Sequence, residues 1–451
     1  MEGRYKQYPE YKDSGVEWLG EVPTKWKVFS LKRAVGSVTN GIWGSEPNGK
    51  NDTIVLRVAD FNREKLLIDT NKLTKRAIDN KDLSNRSLRK GDLLIEKSGG
   101  GDKTLVGCVV HFDKSFQAVT SNFVGKMTPK REFSSSFLVY VFHSLYTGKV
   151  NYSSIKQTTG IQNLDSESYL SEQFCFPPLP EQQKIATFLD HETAKMDALI
   201  EKQERLIALL KEKRQAVISH AVTKGLDPHA KMKDSGVEWL GEVPEEWEVS
   251  KLKFECQVID CRNKTPEYHD GGEYFVVRTT NVKNQKLNFN NALYTDHSNF
   301  KIWTQRGIPP TGSILFTREA PAGEVCLVPD NLKFCMGQRM MNFIPNRSIY
   351  RDYLFDFLVS DCLDKYISSV SHGSTVSHLR VEQVENIPVL IPPDSEIKQI
   401  HKKIIQNKLE YDNLIEKAIT SIDLIKERKT ALISAAVTGK IDVREWEAPE
   451  G

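Results

Sequence analysis

KDSGVEWLGEVP stands at residues 12–23 and again, unchanged, at residues 233–244. An unbroken match of twelve residues, 221 positions apart, is beyond what composition or periodicity produces, so the chain consists of two copies of one unit. A second match follows later in each copy: IALLKEKRQAVISHAVTKGLD at 207–227 aligns with IDLIKERKTALISAAVTGKID at 422–442, now 215 positions apart. The change in offset places insertions and deletions between the two matches, where loops absorb them. Two similar frames around divergent middles predict pseudo-twofold geometry and a ligand that presents two similar sites in a row. Double-stranded DNA is the commonest ligand of that kind.

The rear match belongs to a long helix in each copy. From residue 180 to 222 there is no glycine and no interior proline, and apolar residues recur at Ile185, Leu189, Met196, Leu199, Leu206, Leu210 and Val217. That spacing is of coiled-coil type. The counterpart, about residues 396–437, places Ile400, Ile404, Tyr411, Leu414, Ala418, Ile425 and Leu432 in the same way. Each helix would span about 60 Å, and an apolar stripe of that length needs a cover. The two helices are therefore expected to bury each other. PPLPEQ at 177–182 opens the first, and Gly225 and Gly439 follow the two ends, as helix punctuation requires.

The middles carry short β-type runs between glycine, asparagine and proline. TIVLRVADF (53–61), GDLLIEKS (91–98) and LVGCVVHF (105–112) correspond to EYFVVRTTNV (273–282), GSILFTRE (312–319) and GEVCLVP (323–329). Each middle reads as a compact α+β domain with a small, mostly antiparallel sheet. The helical spacing of FLVYVFHSLYTGKVN (137–151) and YLFDFLVSDCLDKYISSV (353–370) predicts helices packed on those sheets. The boundaries expected are 1–176 for the first domain, 177–226 for the central helix, 227–391 for the second domain, 392–443 for the C-terminal helix and 444–451 for a tail.

Composition sets further bounds. With 451 residues, 39% of them hydrophobic, there is material for two to four folded domains. The polar opening MEGRYKQYPEYKD has no signal-peptide core and no run approaches a membrane span, so the expected compartment is the cytoplasm. Seven cysteines lack C-x-x-C spacing and read as reduced, buried thiols, with no metal site. A net charge of +2 is nearly balanced, so nucleic-acid binding would need basic residues segregated on one face.

Catalytic patterns are missing. GSEPNGKN (44–51) comes near the phosphate-binding loop, but Asn51 stands where a hydroxyl would hold magnesium and a β-type run follows where a helix should begin. GGGDK (99–103) lacks nucleotide-loop spacing, neither FPPLP nor IPPD has the residues that amino-methyltransferases use around Pro-Pro, and no nucleophile sits beside a base. Two domains on a spacer without chemistry of their own describe a recognition or scaffolding subunit.

In this arrangement the chain resembles the DNA specificity subunits of type I restriction-modification systems. The resemblance rests on the two KDSGVEWLGEVP segments with Trp26 and Trp247 just beyond, PPLPEQQKI at 177–185, the weaker IPPDSEIKQI at 391–400, and the helices ending in AVTKG and AVTGK. It covers nearly the whole chain. It implies two target-recognition domains, each reading one half of a split DNA sequence, and two helices pairing antiparallel as ruler and docking surface. The implied partners are double-stranded DNA, two methyltransferase (modification) subunits and motor-nuclease (restriction) subunits. S-adenosylmethionine, ATP and Mg are implied only in those partners, and this chain would not be an enzyme. The second copy departs from the pattern where Ser395, Glu396 and Ile397 align with Pro180, Glu181 and Gln182, which puts equal docking of both helices in question. Since the middles differ, the target expected is asymmetric and bipartite.

Base readout needs exposed polar side chains on loops held by a sheet. The candidates in the first domain are Arg57, Asp60, Asn62, Lys97, Ser98 and Lys103. Those in the second are Arg278, Thr280, Asn281, Arg318, Glu319, Gln338 and Arg339. Each also fits a structural or solvated role. Gly99 and Gly100 would let backbone amides approach a phosphate, or form an ordinary turn. Trp18, Trp26, Trp239 and Trp247 read as staples of the repeated segment onto its domain. Glu181, Gln182, Gln183 and Lys184 fit either a contact with the methylation partner or capping of the helix. A coiled-coil scaffold for protein partners and a solitary DNA-binding repressor are the competing readings.

Overall fold

The computed structural model describes all residues except 1–4, 101–103, 159, 262, 263, 265, 320, 371–377 and 449–451. The chain forms two compact units, Met1–Lys202 with Ser421–Gly451, and Gln203–Thr420. The long helices, Leu179–Lys224 and Asp394–Val437, therefore each give one end to either unit.

Identical sequence makes identical local structure in the repeats. Tyr11–Asp13 pairs antiparallel with Glu21–Pro23, and Met232–Asp234 with Glu242–Pro244. The Asp13 carboxylate accepts from Gly15 N at 2.9 Å, and that of Asp234 from Gly236 N at 3.0 Å. The adjacent Trp26 and Trp247 are fully buried. Their indole N–H groups donate to Glu181 (3.0 Å) and Glu396 (2.8 Å) in the first turn of each long helix. A buried indole needs such a partner, and a carboxylate at a helix N-terminus is favoured by the dipole. Trp18 differs, being 42% exposed above Phe174, so it covers an edge of the core and is not a full staple. Gly439 and Gly225 adopt left-handed φ of +74° and +73° after the helix ends, under Trp26 and Trp247 respectively. A Cβ at Gly439 would collide with Pro23.

Each recognition domain is inserted through one antiparallel strand pair. Lys27–Ser30 enters beside Gln173–Phe176, and Glu248–Lys251 enters beside Pro388–Ile391. In the first domain six strands run in the order Thr39–Asn40, Val124–Met127, Leu93–Glu96, Val109–His111, Leu67–Ile68, Phe61–Asn62. The second has Cys256–Asp260, Met340–Pro345, Ile314–Arg318 and Ala322–Leu327 in corresponding order. A smaller three-stranded sheet accompanies each, with Asp52–Leu56 or Tyr274–Val277 at its centre. Pairing is mostly antiparallel. The loop GSEPNGKN is a turn in which Asp52 accepts from the amides of Asn48 and Gly49.

Helix Ser135–Thr147 packs on strand Val109–His111, burying Phe137, Leu138, Val141 and Phe142. In the second unit the corresponding segment is two helices, Tyr350–Leu358 and Asp361–Val370. In the first unit Ile185, Phe188, Leu189 and Met196 share a core with Leu432, Ile433, Ala436 and Val437. In the second unit Ile218, Ala221 and Val222 share one with Ile397, Ile400 and Ile404. The start of one helix meets the end of the other, so within each unit they run antiparallel. Equivalent cross-helix ion pairs join Lys429 to Asp197 (2.6 Å) and Arg214 to Asp412.

The seam is shifted by one residue from the expected stripe at three places. Leu199, Leu206 and Leu414 are 44%, 43% and 48% exposed, whereas Ile200 and Ile415 are buried and Ile207 is half-buried. Leu189, Met196, Ile404 and Leu432 are buried, with Leu210, Val217, Tyr411 and Ile425 half-buried along the same side. A heptad seam runs through alternate steps of three and four, and the isoleucine of each Leu-Ile pair falls on it.

Candidate nucleic-acid interface

The strand ends of the two recognition domains bring the candidate residues into two groups. At one end of the first domain, Arg57 N and guanidinium both donate to Asp60, at 2.7 Å and 3.0 Å. Its second-domain equivalent is Arg278, whose N donates to Asn281 Oδ1 at 3.0 Å and whose guanidinium reaches the Asn291 carbonyl at 3.0 Å. Asp60 and Asn281 are buried, so both close a turn and neither is placed to touch a base. Asn62 likewise ties its hairpin by accepting from Lys65 N at 2.9 Å. Thr280 is exposed.

The second group lies close to the first, since Ser121 N donates to the Leu56 carbonyl beside Arg57 at 2.8 Å and Phe123, two residues further on, is tied to Lys97. Lys97 Nζ donates to Asn40, and Ser98 Oγ bonds Asn163 on the neighbouring strand. Asn40 and Asn163 are exposed, as is Phe123, whose carbonyl accepts from Lys97 N at 2.8 Å. A cavity of about 330 Å³ opens beside them, lined by Lys32, Ser37, Asn40, Lys97, Ser166 and Glu167. Gly99 pairs with Gln162 at φ +136°, and Gly100 follows at φ +67° with the Thr104 carbonyl close by. These two glycines are thus built into a strand pair and a tight turn. Lys103 lies outside the described residues.

In the second domain the corresponding group is charged. Arg318 is 2% exposed and pairs with Asp260 at 3.3 Å, so it pins two strands together from inside and cannot reach a base. Glu319 and Arg339 form an ion pair at 2.8 Å, half-exposed, and His378 stands 3.8 Å from the same carboxylate. Gln338 is exposed at the same turn. Deeper in the first domain, Glu96 is buried and pairs with Arg63 at 2.7 Å. Its burial raises its pKa against the pull of the guanidinium.

A family model, the type I restriction modification DNA specificity domain, matches residues 23–209 and 244–423. The chain belongs to this family. Relatives include a putative type I restriction enzyme MjaX specificity subunit of Methanocaldococcus jannaschii, 25% identical over 94% of this chain and 96% of the relative. The EcoKI specificity subunit of Escherichia coli K12 is 25% identical over 79% and 76%. Among solved structures, a chain from work on assembly and conformational transition of the type I R-M system superposes with a TM-score of 0.61 at 16% identity, over 92% of this chain and 98% of that one. The HsdS subunit of Thermoanaerobacter tengcongensis gives 0.53 at 14%, over 93% and 98%. These likenesses support the type I specificity fold.

The family model begins at Pro23 and Pro244, the last residue of each repeated segment, and the contacts at the entrance of the first long helix correct one expectation. Glu181 is held by Trp26 and by the Tyr8 hydroxyl at 2.7 Å. Gln182 is 2% exposed, accepts from Ser134 N and donates to the Pro177 carbonyl. Gln182 is thus an internal strut, and Glu181, half-exposed, holds the repeated segment through one carboxylate oxygen. Gln183 is exposed and Lys184 lies 6.0 Å from the Trp446 ring. Sequence reasoning missed Asn40, Phe123, Asn163, Asp260 and His378, because only contacts between distant segments bring them beside Lys97, Ser98, Arg318 or Glu319. Among the described residues no helix is long and apolar enough to cross a membrane, and no group of three His, Cys, Asp or Glu is placed to hold a metal.

Proposed function

We propose that this chain is the non-catalytic, DNA-reading specificity subunit of a type I restriction-modification complex. Each recognition domain reads one half of an asymmetric bipartite target in cytoplasmic double-stranded DNA. The observation that carries the proposal is that two frames built on the same repeated segment, locked by the same Trp-Glu bond, present unlike polar groups at the same strand ends. A shared frame fixes how each domain approaches the duplex, and unlike side chains give unlike half-sites. Family membership over both copies supports the same reading.

Methyltransferase subunits would dock along the helices. In the second unit, Leu206 and Leu209 of the first helix and Ile405, Leu409 and Leu414 of the second are exposed, more apolar surface than a solvated helix needs. S-adenosylmethionine, ATP and Mg would belong to the methyltransferase and motor-nuclease chains. A helix of 46 residues, about 70 Å long, provides length enough to set the spacing between half-sites.

Methylome sequencing of cells with and without this chain and its modification partner tests the proposal. The expected result is one asymmetric, interrupted motif that disappears with the chain. A palindromic or continuous motif, or methyl transfer by the isolated chain, overturns it. Inserting seven residues near Leu206 should lengthen the spacer or abolish activity, with both half-sites unaltered.

A further inference from the structure

Cross-strand register brings one position of the first domain into correspondence with one of the second. In the first, Glu96 lies opposite Val124, and one step further Lys97 N donates to the Phe123 carbonyl at 2.8 Å. In the second, Thr317 lies opposite Met340, and one step further Arg318 N donates to the Arg339 carbonyl at 2.9 Å. Phe123 and Arg339 therefore occupy the same place, at the turn that leads into the strand beside the central one.

Both choices are costly for a merely structural residue. Phe123 is 57% exposed, although an aromatic ring of that size is ordinarily buried. Arg339 has φ of +65°, a conformation favoured by glycine and asparagine and kept by other residues mainly where function demands it. Their surroundings have diverged in step. Phe123 stands with Lys97, whose ammonium bonds Asn40, and with the neutral Ser98 and Asn163, whereas Arg339 stands with the acidic Glu319 and with His378. Glu319 takes the Nε of Arg339 at 2.8 Å, which fixes the plane of the guanidinium. A fixed planar fork matches O6 and N7 of guanine, while a bare ring offers apolar contact to the methyl group of thymine.

We infer that Phe123 and Arg339 are the specificity-determining residues of their domains. Phe123 reads a thymine methyl in one half-site, and Arg339, held by Glu319, reads a guanine in the other. This rests on the DNA-reading function proposed above and names the bases for it.

The test uses the complex of this chain with its modification subunits. Its substrate is duplexes carrying the wild-type target with each position randomised in turn, and methylation is read by sequencing. Arg339→Asn, which suits the left-handed backbone, should relax one G·C position by roughly ten- to a hundred-fold, with the other half-site unchanged. Phe123→Ala should relax one A·T position in the opposite half-site and no other. Arg339→Lys keeps the charge but loses the fork, and relaxes the same G·C position even if Arg339→Asn impairs assembly. Unaltered discrimination in Phe123→Ala or Arg339→Lys overturns the inference. So does uniform weakening across all sequences with a salt dependence shallower by about one ion, the signature of a phosphate contact. If the unaltered complex selects no interrupted sequence, the underlying function fails, a result separable from these.

Discussion

Both units fasten a recognition-domain helix to the long helices through a tyrosine hydroxyl, Tyr140 in the first and Tyr353 in the second, but only the second adds a buried carboxylate held by two cations. In the first, the Tyr140 hydroxyl donates to Asp190 at 2.8 Å and lies 3.4 Å from the Thr193 hydroxyl. In the second, buried Asp356 accepts from His401 at 2.7 Å and from Lys408 at 3.3 Å. A second fastening separates them as well. The Glu64 carboxylate and carbonyl of the first unit are gripped by Lys426 (3.1 Å) and Lys429 (2.9 Å). The matching hairpin of the second, around Asn284 and Gln285, instead borders an open groove of about 740 Å³ that reaches Arg214 and Lys408. The lesson is that the Trp-Glu lock sets the frame, and any buried polar group that finds a partner can complete it.

The deepest test of that equivalence removes the lock. Trp26→Ala and Trp247→Ala should each destabilise their own unit by about 3–5 kcal/mol, measured by denaturant unfolding with exchange probes in either unit. Unequal losses would break the comparison. Next in size, Asp356→Ala leaves His401 and Lys408 without their shared partner and should cost the second unit about 2 kcal/mol, below the fully buried case because both cations reach solvent. Tyr140→Phe should cost the first unit about 1 kcal/mol.

Acidity should separate the units by sign. His143 is held down at about 4 by burial, with Lys429 adding to the effect. The fold keeps it neutral while the unfolded chain takes a proton, so the first unit loses stability as pH falls from about 6.5 towards 4. His401 is raised above its ordinary value, chiefly by its hydrogen bond to Asp356. Its contribution is complete below about 6.5 and is lost as pH rises through the folded value. Hydrogen exchange in each unit at mildly acidic and mildly alkaline pH checks this, with His143→Leu flattening the first trend and His401→Gln the second. The smallest effect belongs to Lys426→Ala, at about 0.5 kcal/mol or less, since both partners are largely solvated.

Much of this architecture was legible in the sequence. The repeat, both long helices and the central strand of each domain follow from pattern alone. The seam was missed at Leu199, Leu206 and Leu414 for a definite reason. Each stands in a Leu-Ile pair, both members are apolar, and a period near 3.5 does not tell which turns inward. Packing does, and Leu424 with Ile425 obeys the same rule. The site was less legible. Arg318 looked like an exposed reader because nothing local announces Asp260, 58 residues earlier in sequence. Phe123 escaped notice because its tie to Lys97 is made across strands.

The paired strands through which each recognition domain begins and ends have an evolutionary consequence. Where Lys27–Ser30 lies against Gln173–Phe176, the two severable points of the backbone are already neighbours. A foreign domain of another length can be spliced there with its termini matched, and chain closure adds only a logarithmic entropy term. The scaffold thereby works as a socket, and new sequence preferences can arise by exchange of whole inserts as well as by point mutation.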